Sequence, residues 1–407
     1  MQLVERHIIN QNSESYSECN RVCFLSKNLY NYANYIVRQE FIKSSKEKEE
    51  GLVDHANYLN YYMINKILIS ENQTDYISLP RKVSNQTIML LDKNWKSFFA
   101  SIKDYVKNKS KYRGRPKLPK YLNKNDKFIV VYELGAISSK ELKNGVVKLS
   151  GTSIRIKTKQ TCIKQCRIVP QGNHFVIEVV YEKQEKVLSD NNGRYCSIDL
   201  GLNNLATIGS NVIHSIIING KPLKSINQFY NKKKSYYQSK LGNKKSSKKI
   251  NKLTNKRNKK IEDYLHKSSR YIINHLVSND INTLVIGNNK EWKQEINIGS
   301  KNNQNFVSIP HYKFIMMLKY KCQLEGITII INEESYTSKC SFLDGENVGK
   351  HDNYCGKRIK RGLFKSAEGI LINADLNGSL NILVKAVPEI EFKGIEVIAV
   401  SPIVVSL

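Results

Sequence analysis

Acidic side chains are in short supply in this 407-residue chain, where 36 Asp and Glu face 65 Lys and Arg for a formal charge of +29. Such a surplus repels itself unless a polyanion offsets it, so nucleic acid is the first candidate partner. AT-rich coding would inflate lysine and asparagine but would not remove acids. Cysteine is also sparse: Cys19, Cys23, Cys162, Cys166, Cys196, Cys322, Cys340 and Cys355 sit mostly within apolar patterns, as reduced core thiols do, which excludes a disulfide framework. No stretch approaches the ~18 consecutive apolar residues of a membrane span. Residues 1–6 have neither the apolar run nor the small-residue cleavage site of a secretory signal, so the protein is expected to stay inside the cell. The length allows two or three domains.

Residues 2–9 read as a strand. From Ser15 the apolar positions Cys19, Val22, Cys23, Leu29, Tyr32, Tyr35 and Ile36 recur every three to four residues, which predicts an amphipathic helix. Residues 57–69 and 83–106 repeat that spacing, the latter entered through Pro80, so this region is expected to be an all-helical lobe. A basic run carrying Arg113, Arg115 and Lys117 around Gly114 and Pro116 then breaks the helix, which suits either a phosphate-gripping linker or a merely solvated one. Residues 128–182 alternate as strands punctuated by Gly145, Gly151 and Gly172, the pattern of a small β-barrel that the N-terminal strand could complete. Beyond residue 191, strands alternate with helices, and an α/β domain is expected.

That domain carries a long insertion at 224–270 with Lys232, Lys233, Lys234, Lys244, Lys245, Lys256 and Arg257 among its cations and Tyr230, Tyr236, Tyr237 and Tyr264 between them. A solvated hairpin would look the same locally. The charge of the whole chain favours nucleic acid: lysines neutralise phosphates without reading sequence, while tyrosines stack on unpaired bases, as in structured RNA or single strands.

In so basic a chain, acids at the ends of apolar strands need a reason. Asp199 closes the run Cys196-Ser197-Ile198 beside Gly201. Glu333 and Glu334 end the run 327–332, and Asp375 lies among small residues before Leu380, Ile382 and Leu383. Three carboxylates from separate elements can hold two Mg²⁺ ions for phosphodiester hydrolysis, although turn caps and surface edges are the commoner use of each acid alone.

The DLGxxxxAT segment at 199–207, the YTSK element at 336–339 and the segment Asn373-Ala374-Asp375-Leu376-Asn377-Gly378-Ser379-Leu380-Asn381-Ile382, in that order and spacing, resemble TnpB, the transposon-encoded ancestor of type V Cas12 effectors. The resemblance spans essentially the whole chain. It implies an α+β multidomain protein: a wedge-type β-barrel from 1–10 and 118–190, a helical recognition lobe from 11–117, and an RNase H-like (RuvC) nuclease domain from 191–339 and 367–407. A zinc-ribbon remnant at 340–366 interrupts the last. It further implies an RNA-guided DNA endonuclease of the prokaryotic cytoplasm and nucleoid, with a guide RNA copied from the transposon end, a double-stranded DNA target and a short target-adjacent motif. Asp199 and Asp375 match the first and third catalytic acids. Residues 79–87 are similar to the helix facing the target-adjacent motif, making Lys82 and Gln86 candidate readers at one helical turn's spacing, with helix packing the alternative for Gln86.

The chain departs from the family pattern twice. Gly287 stands where the second acid usually ends the strand 283–286, and some members lacking that acid carry a glutamate just before the YTS element, as Glu334 stands here. The expected set is therefore Asp199, Glu334 and Asp375 holding two Mg²⁺, with Glu333 in reserve because alternation turns only one of the pair inward. Of the two CxxC pairs of the ribbon only Cys340 and Cys355 remain. His351 with Asp344 or Asp352 could complete four ligands at spacings unlike any usual ribbon, so zinc is not expected. Arg358 and Arg361 still suit a nucleic-acid clamp. The rival expectations are a nuclease-dead repressor, a transposase using the same carboxylate chemistry, and a CRISPR-associated effector. Oligomeric state and the tail at 386–407 have no expectation.

Overall fold

The computed structural model describes residues 1–54, 56–242, 246–289, 299, 303–304, 307–392 and 402–407. They form two compact units, Met1–Lys183 and Gln184–Leu407.

In the first unit β1 (Gln2–Ile9) precedes four helices: α1 (Tyr16–Glu49), α2 (Tyr61–Ser70), α3 (Thr74–Ile77) and α4 (Arg81–Lys107). Helix α1 is as expected, but its buried face turns differently toward the end: Cys19, Val22, Cys23 and Leu29 are joined by Ala33 and Val37 in packing with Val83, Ile88, Leu91 and Trp95 of α4, while the expected Tyr32 and Tyr35 are exposed and Ile36 is only partly buried. Trp95 joins that core without an orphan donor because its indole N–H donates to Asn34 Oδ1 at 3.0 Å. The helix expected from residue 57 begins instead at Tyr61. Asn60 decides this, since its side chain accepts the N–H groups of Tyr62 and Met63 and so caps the first turn. The chain continues through β2 (Val130–Glu133), α5 (Ser139–Lys143), β3 (Val146–Lys148), β4 (Arg155–Lys157), β5 (Ile163–Gln171) and β6 (His174–Glu182). The N-terminal strand joins these, as β1 runs antiparallel to β6 from Gln2↔Glu182 to Ile9↔Phe175. Of the barrel expected from the sequence, the described pairings give an antiparallel sheet in the order β1-β6-β5-β2 and a separate β3-β4 hairpin.

The second unit contains β7 (Tyr195–Leu200), β8 (Asn204–Ser210), β9 (Ile216–Asn219), α6 (Lys221–Ser239), α7 (Lys248–Ser278), β10 (Thr283–Gly287), α8 (His311–Glu325), β11 (Thr328–Asn332), β12 (Lys357–Lys360), β13 (Leu363–Lys365), β14 (Leu371–Asn373), α9 (Ala374–Ala386) and β15 (Ile403–Val405). Its main sheet has the order β11-β10-β7-β8-β9-β15. Strands β7, β8 and β9 form an antiparallel meander, while β10 and β11 add in parallel beside β7. The unassigned tail supplies β15, parallel to β9. Cys196, Ile198, Leu200, Leu284 and Ile286 face α7 and α8, whereas Tyr195 and Val285 pack with Ile382 and Leu383 of α9 on the other face. Gly326 ends α8 in the left-handed region (φ 73°), and a Cβ there would lie 2.4 Å from the Val187 carbonyl, so both conformation and space demand glycine.

Lys321 of α8 is buried with its Nζ donating to the His266 carbonyl at 3.0 Å and to Ser269 Oγ at 2.6 Å on α7. Burial, helped by Arg270, pulls its pKa from 10.5 down to about 8. Between those values the unfolded chain binds more protons than the folded one, so this unit gains stability as pH rises through the window. Lys321→Met keeps the length and removes the cation. Thermal melts are expected to show a Tm higher by roughly 2–4 °C at pH 7 and a flattened rise between pH 8 and 10.

Candidate active site

Alternation along β7 decides which side chains reach this site. With Cys196, Ile198 and Leu200 turned to the core, Ser197 and Asp199 face α9. That helix approaches closely because its facing residues are small: Ser379 Oγ accepts the Gly209 N–H at 3.1 Å and donates to the Ser197 carbonyl at 3.2 Å, and Ser197 Oγ donates to the Ser379 carbonyl at 2.7 Å. At Gly378 a Cβ would stand 3.0 Å from Asp199 Oδ2.

Asp375 occupies the first turn of α9, capped by Asn373, whose Oδ1 accepts the N–H groups of Asp375 and Leu376 at 3.0 and 3.1 Å. A helix start is a favourable seat for an anion. Its carboxylate accepts from Asn204 Nδ2 at 2.7 Å and from Arg358 Nη2 at 3.3 Å. Asn204 opens β8, and Arg358, expected only as a phosphate contact, reaches the acid from β12.

Glu334 follows β11 and is held by Asn289, which donates to Glu334 Oε1 at 3.3 Å and accepts the Glu334 N–H at 3.1 Å. Its carboxylate lies over the end of β10: a Cβ on Gly287 would stand 2.8 Å from Glu334 Oε2. Glu333 points elsewhere. Its side chain is 63% exposed, accepts from Ser335 Oγ and pairs with Lys385 at 3.5 Å, contacts that hold its carboxyl below the usual range.

Asp199, Glu334 and Asp375 are thus brought together while Glu333 is not. Burial, then repulsion from Glu334 and Asp375, drives the Asp199 carboxyl well above its ordinary value despite the opposing Arg358. Burial alone lifts Glu334 to about 7. Half-buried carboxylates that repel one another are a cation-ready arrangement, and an all-oxygen set suits Mg²⁺. Asn204 and Asn289 are positioning residues that sequence reasoning missed. Asn204 lies within the 199–207 motif, but nothing marks Asn289.

The cationic candidates are dispersed. Lys82 on α4 is exposed and lies over Gly135, and Gln86, one turn on, donates to Glu133 Oε1 at 2.7 Å. Arg113, Arg115 and Lys117 are exposed, as are Lys232, Lys233, Lys256, Arg358 and Arg361 in the second unit, while Lys234 and Arg257 are half-buried. Lys244 and Lys245 lie outside the described residues. In the ribbon remnant, donor atoms of Cys340, Glu346 and His351 lie within 4.8 Å of one another. The acid that joins is therefore Glu346, not Asp344 or Asp352: Asp344 is spent on the Ala367 N–H at 2.8 Å. Glu346 itself accepts the backbone N–H groups of Ser341 at 2.7 Å and Cys355 at 3.1 Å. Among the described residues these three donors group together, with Glu346 already hydrogen-bonded twice and Cys355 close enough to act on the Cys340 thiol. Among the described residues no helix is long and apolar enough to cross a membrane.

Residues 178–293 match the family model OrfB_IS605, described as a probable transposase, and residues 311–382 match the Cas12f1-like TNB domain. The TnpB-like protein MJ0751 of Methanocaldococcus jannaschii is 26% identical over 182 residues, and the TnpB-like protein ORF457 of Acidianus two-tailed virus is 24% identical over 237. The chain is similar to these two TnpB-like proteins over part of its length. These alignments cover 41% and 55% of this chain and 65% and 47% of the two relatives, so it spans less than two thirds of either. A Cas12f1 solved with sgRNA and target DNA shares the fold, with a TM-score of 0.51 at 13% identity, over 89% of this chain and 82% of the Cas12f1.

Proposed function

We propose that this chain is an RNA-guided DNA endonuclease that takes a guide RNA from a transposon end and cuts double-stranded DNA beside a target-adjacent motif. The observation that carries this reading is the meeting of Asp199, Glu334 and Asp375, with Glu334 filling the space above Gly287 where a strand-end acid would otherwise stand. An antiparallel meander continued by two parallel strands supports an RNase H-like (RuvC) domain, and the sheet of the first unit supports a wedge-type element beside the helical lobe. Two Mg²⁺ ions on these oxygens would lower the pKa of an attacking water and stabilise the leaving oxygen. The chain's own residues do the rest: Asn204 and Asn289 fix the orientation of Asp375 and Glu334, and Arg358 neutralises Asp375 until a phosphodiester enters. Lys82 and Gln86 read the target-adjacent motif once Gln86 leaves Glu133, and the cations at 113–117, 232–234, 256–257, 358 and 361 hold phosphates.

The test co-expresses the chain with its flanking genomic DNA, sequences the RNA that co-purifies, and assays Mg²⁺-dependent cleavage of a guide-matched plasmid next to a randomised flank. Guide-dependent cutting beside one short motif is the expected result. Binding without cutting would make the chain a repressor, and purification without a defined RNA would favour a protein-guided transposase.

A further inference from the structure

Between α6 and α7 of the second unit lies an open pocket of about 290 Å³, walled by Ile226, Phe229, Tyr230, Leu253, Lys256 and Arg257. Its chemistry is divided. On one side, Ile226 and Leu253 line an apolar wall and Phe229 leaves 59% of its surface exposed beside it. On the other, Arg257 is a half-buried cation whose partners are all neutral oxygens: Asn227 Oδ1 at 2.8 Å, Asn258 Oδ1 at 3.0 Å and the Ser308 carbonyl at 2.7 Å. Among the described residues no carboxylate pairs with it. Its guanidinium lies 5.5 Å from the centre of the Tyr230 ring, which is itself fixed by a 3.1 Å hydrogen bond between Tyr230 Oη and Thr254 Oγ1. Lys256 and Lys260, one helical turn apart, stand exposed at the rim.

An uncompensated cation set in place by neutral hydrogen bonds calls for an anion, and an exposed ring beside an apolar wall calls for a flat partner. A nucleotide supplies both in one unit. We propose that this pocket takes one unpaired nucleotide of a bound strand, its base stacked on Phe229 and its phosphate held by Lys256, Lys260 and Arg257. A paired base cannot enter, because its faces are already covered by its neighbours in the stack, so the pocket selects single-stranded or extruded nucleotides over duplex. The inference rests on the nucleic-acid part of the reading above and not on its cleavage chemistry.

The experiment measures binding by the full chain, freed of co-purified nucleic acid in high salt, to a mixed-sequence single-stranded RNA, to the blunt duplex of the same sequence, and to uridine 5′-monophosphate as competitor. Phe229→Ala is expected to weaken single-strand binding about tenfold and duplex binding less than about twofold, with Phe229→Trp restoring the former. A 4-thiouridine strand should photocrosslink to the α6 peptide containing Phe229. Because Phe229 is largely exposed, its truncation leaves the fold intact, which a matching melt verifies. Equal losses on strand and duplex, or no loss on either, would overturn the proposal in favour of a solvated hairpin. Competition by the mononucleotide as strong, mole for mole, as by the strand would overturn it in favour of a small-molecule site. Cleavage does not enter these readouts, so a failure of the nuclease reading leaves them interpretable.

Discussion

Glu334→Gln is expected to lower guide-dependent DNA cleavage by on the order of 10³-fold or more, and Glu333→Gln to leave it within about twofold, in single-turnover assays on a matched plasmid. Glutamine keeps the oxygen that accepts from Asn289 and the backbone N–H that Asn289 receives, so the loop after β11 stays folded. What disappears is one anionic donor from a set that also includes Asp199 and Asp375. Glu333 is aimed at Ser335 and Lys385, away from that set. Putting an acid back on β10 does not rescue the variant: a side chain at 287 starts 2.5 Å from Ile382 Cδ1 and 2.8 Å from the Glu334 carboxylate position, so Gly287→Glu in the Glu334→Gln background is expected to remain inactive. Comparable losses from the two single glutamine variants would defeat the assignment of Glu334.

Gly220→Ala is expected to destabilise the second unit by about 3 kcal/mol or more, seen as a Tm lower by roughly 6–12 °C. The added Cβ would meet the Leu202 carbonyl at 2.4 Å, the Leu205 nitrogen at 2.9 Å and the Asn203 carbonyl at 3.0 Å, all backbone atoms of the turn after β7 and the start of β8. Flexible side chains can step aside cheaply, but these atoms cannot. Gly220 is also tied to that turn through its own N–H, which donates to the Asn203 carbonyl at 2.7 Å. The next residue is Asn204, the donor to Asp375, so cleavage should fall together with stability. Gly114→Ala is the matched control: nothing lies within 4 Å of its added Cβ, and its melt should move by less than about 0.5 kcal/mol equivalent. A Gly220→Ala melt indistinguishable from the control would refute the steric argument.

Local periodicity made α1, α4 and the strands of the first unit legible, because each is dictated by residues a few positions apart. The candidate acids were legible for a different reason: in a chain so short of carboxylates, Asp199 and the Glu333–Glu334 pair at strand ends and Asp375 among small residues stand out, and the family resemblance singled out Glu334. Parity along β11 implied that only one of Glu333 and Glu334 turns inward, but phase comes from pairing with β10, which periodicity does not contain. The asparagines that hold the acids were hidden for the same reason, since Asn289 acts on a partner 45 residues away and Asn204 on one 171 away. Glu346 was obscured by two nearby aspartates of equal chemical plausibility. The tail at 402–407 shows no pattern of its own, because a three-residue strand becomes a strand only by lying along β9.

The wide separation of the acids along the chain bears on synthesis. A strand such as β7 can find β8 as soon as both have left the ribosome, but Asp199 then waits, without its carboxylate neighbours, while the insertion, β10, α8 and β11 are made. Only when α9 emerges and docks over Ser197 and Gly209 do Asp375 and the close wall at Gly378 arrive. Polypeptides broken off before that point therefore carry the cationic helices without an assembled set of acids, and under the proposed function they would hold nucleic acid without being able to cut it.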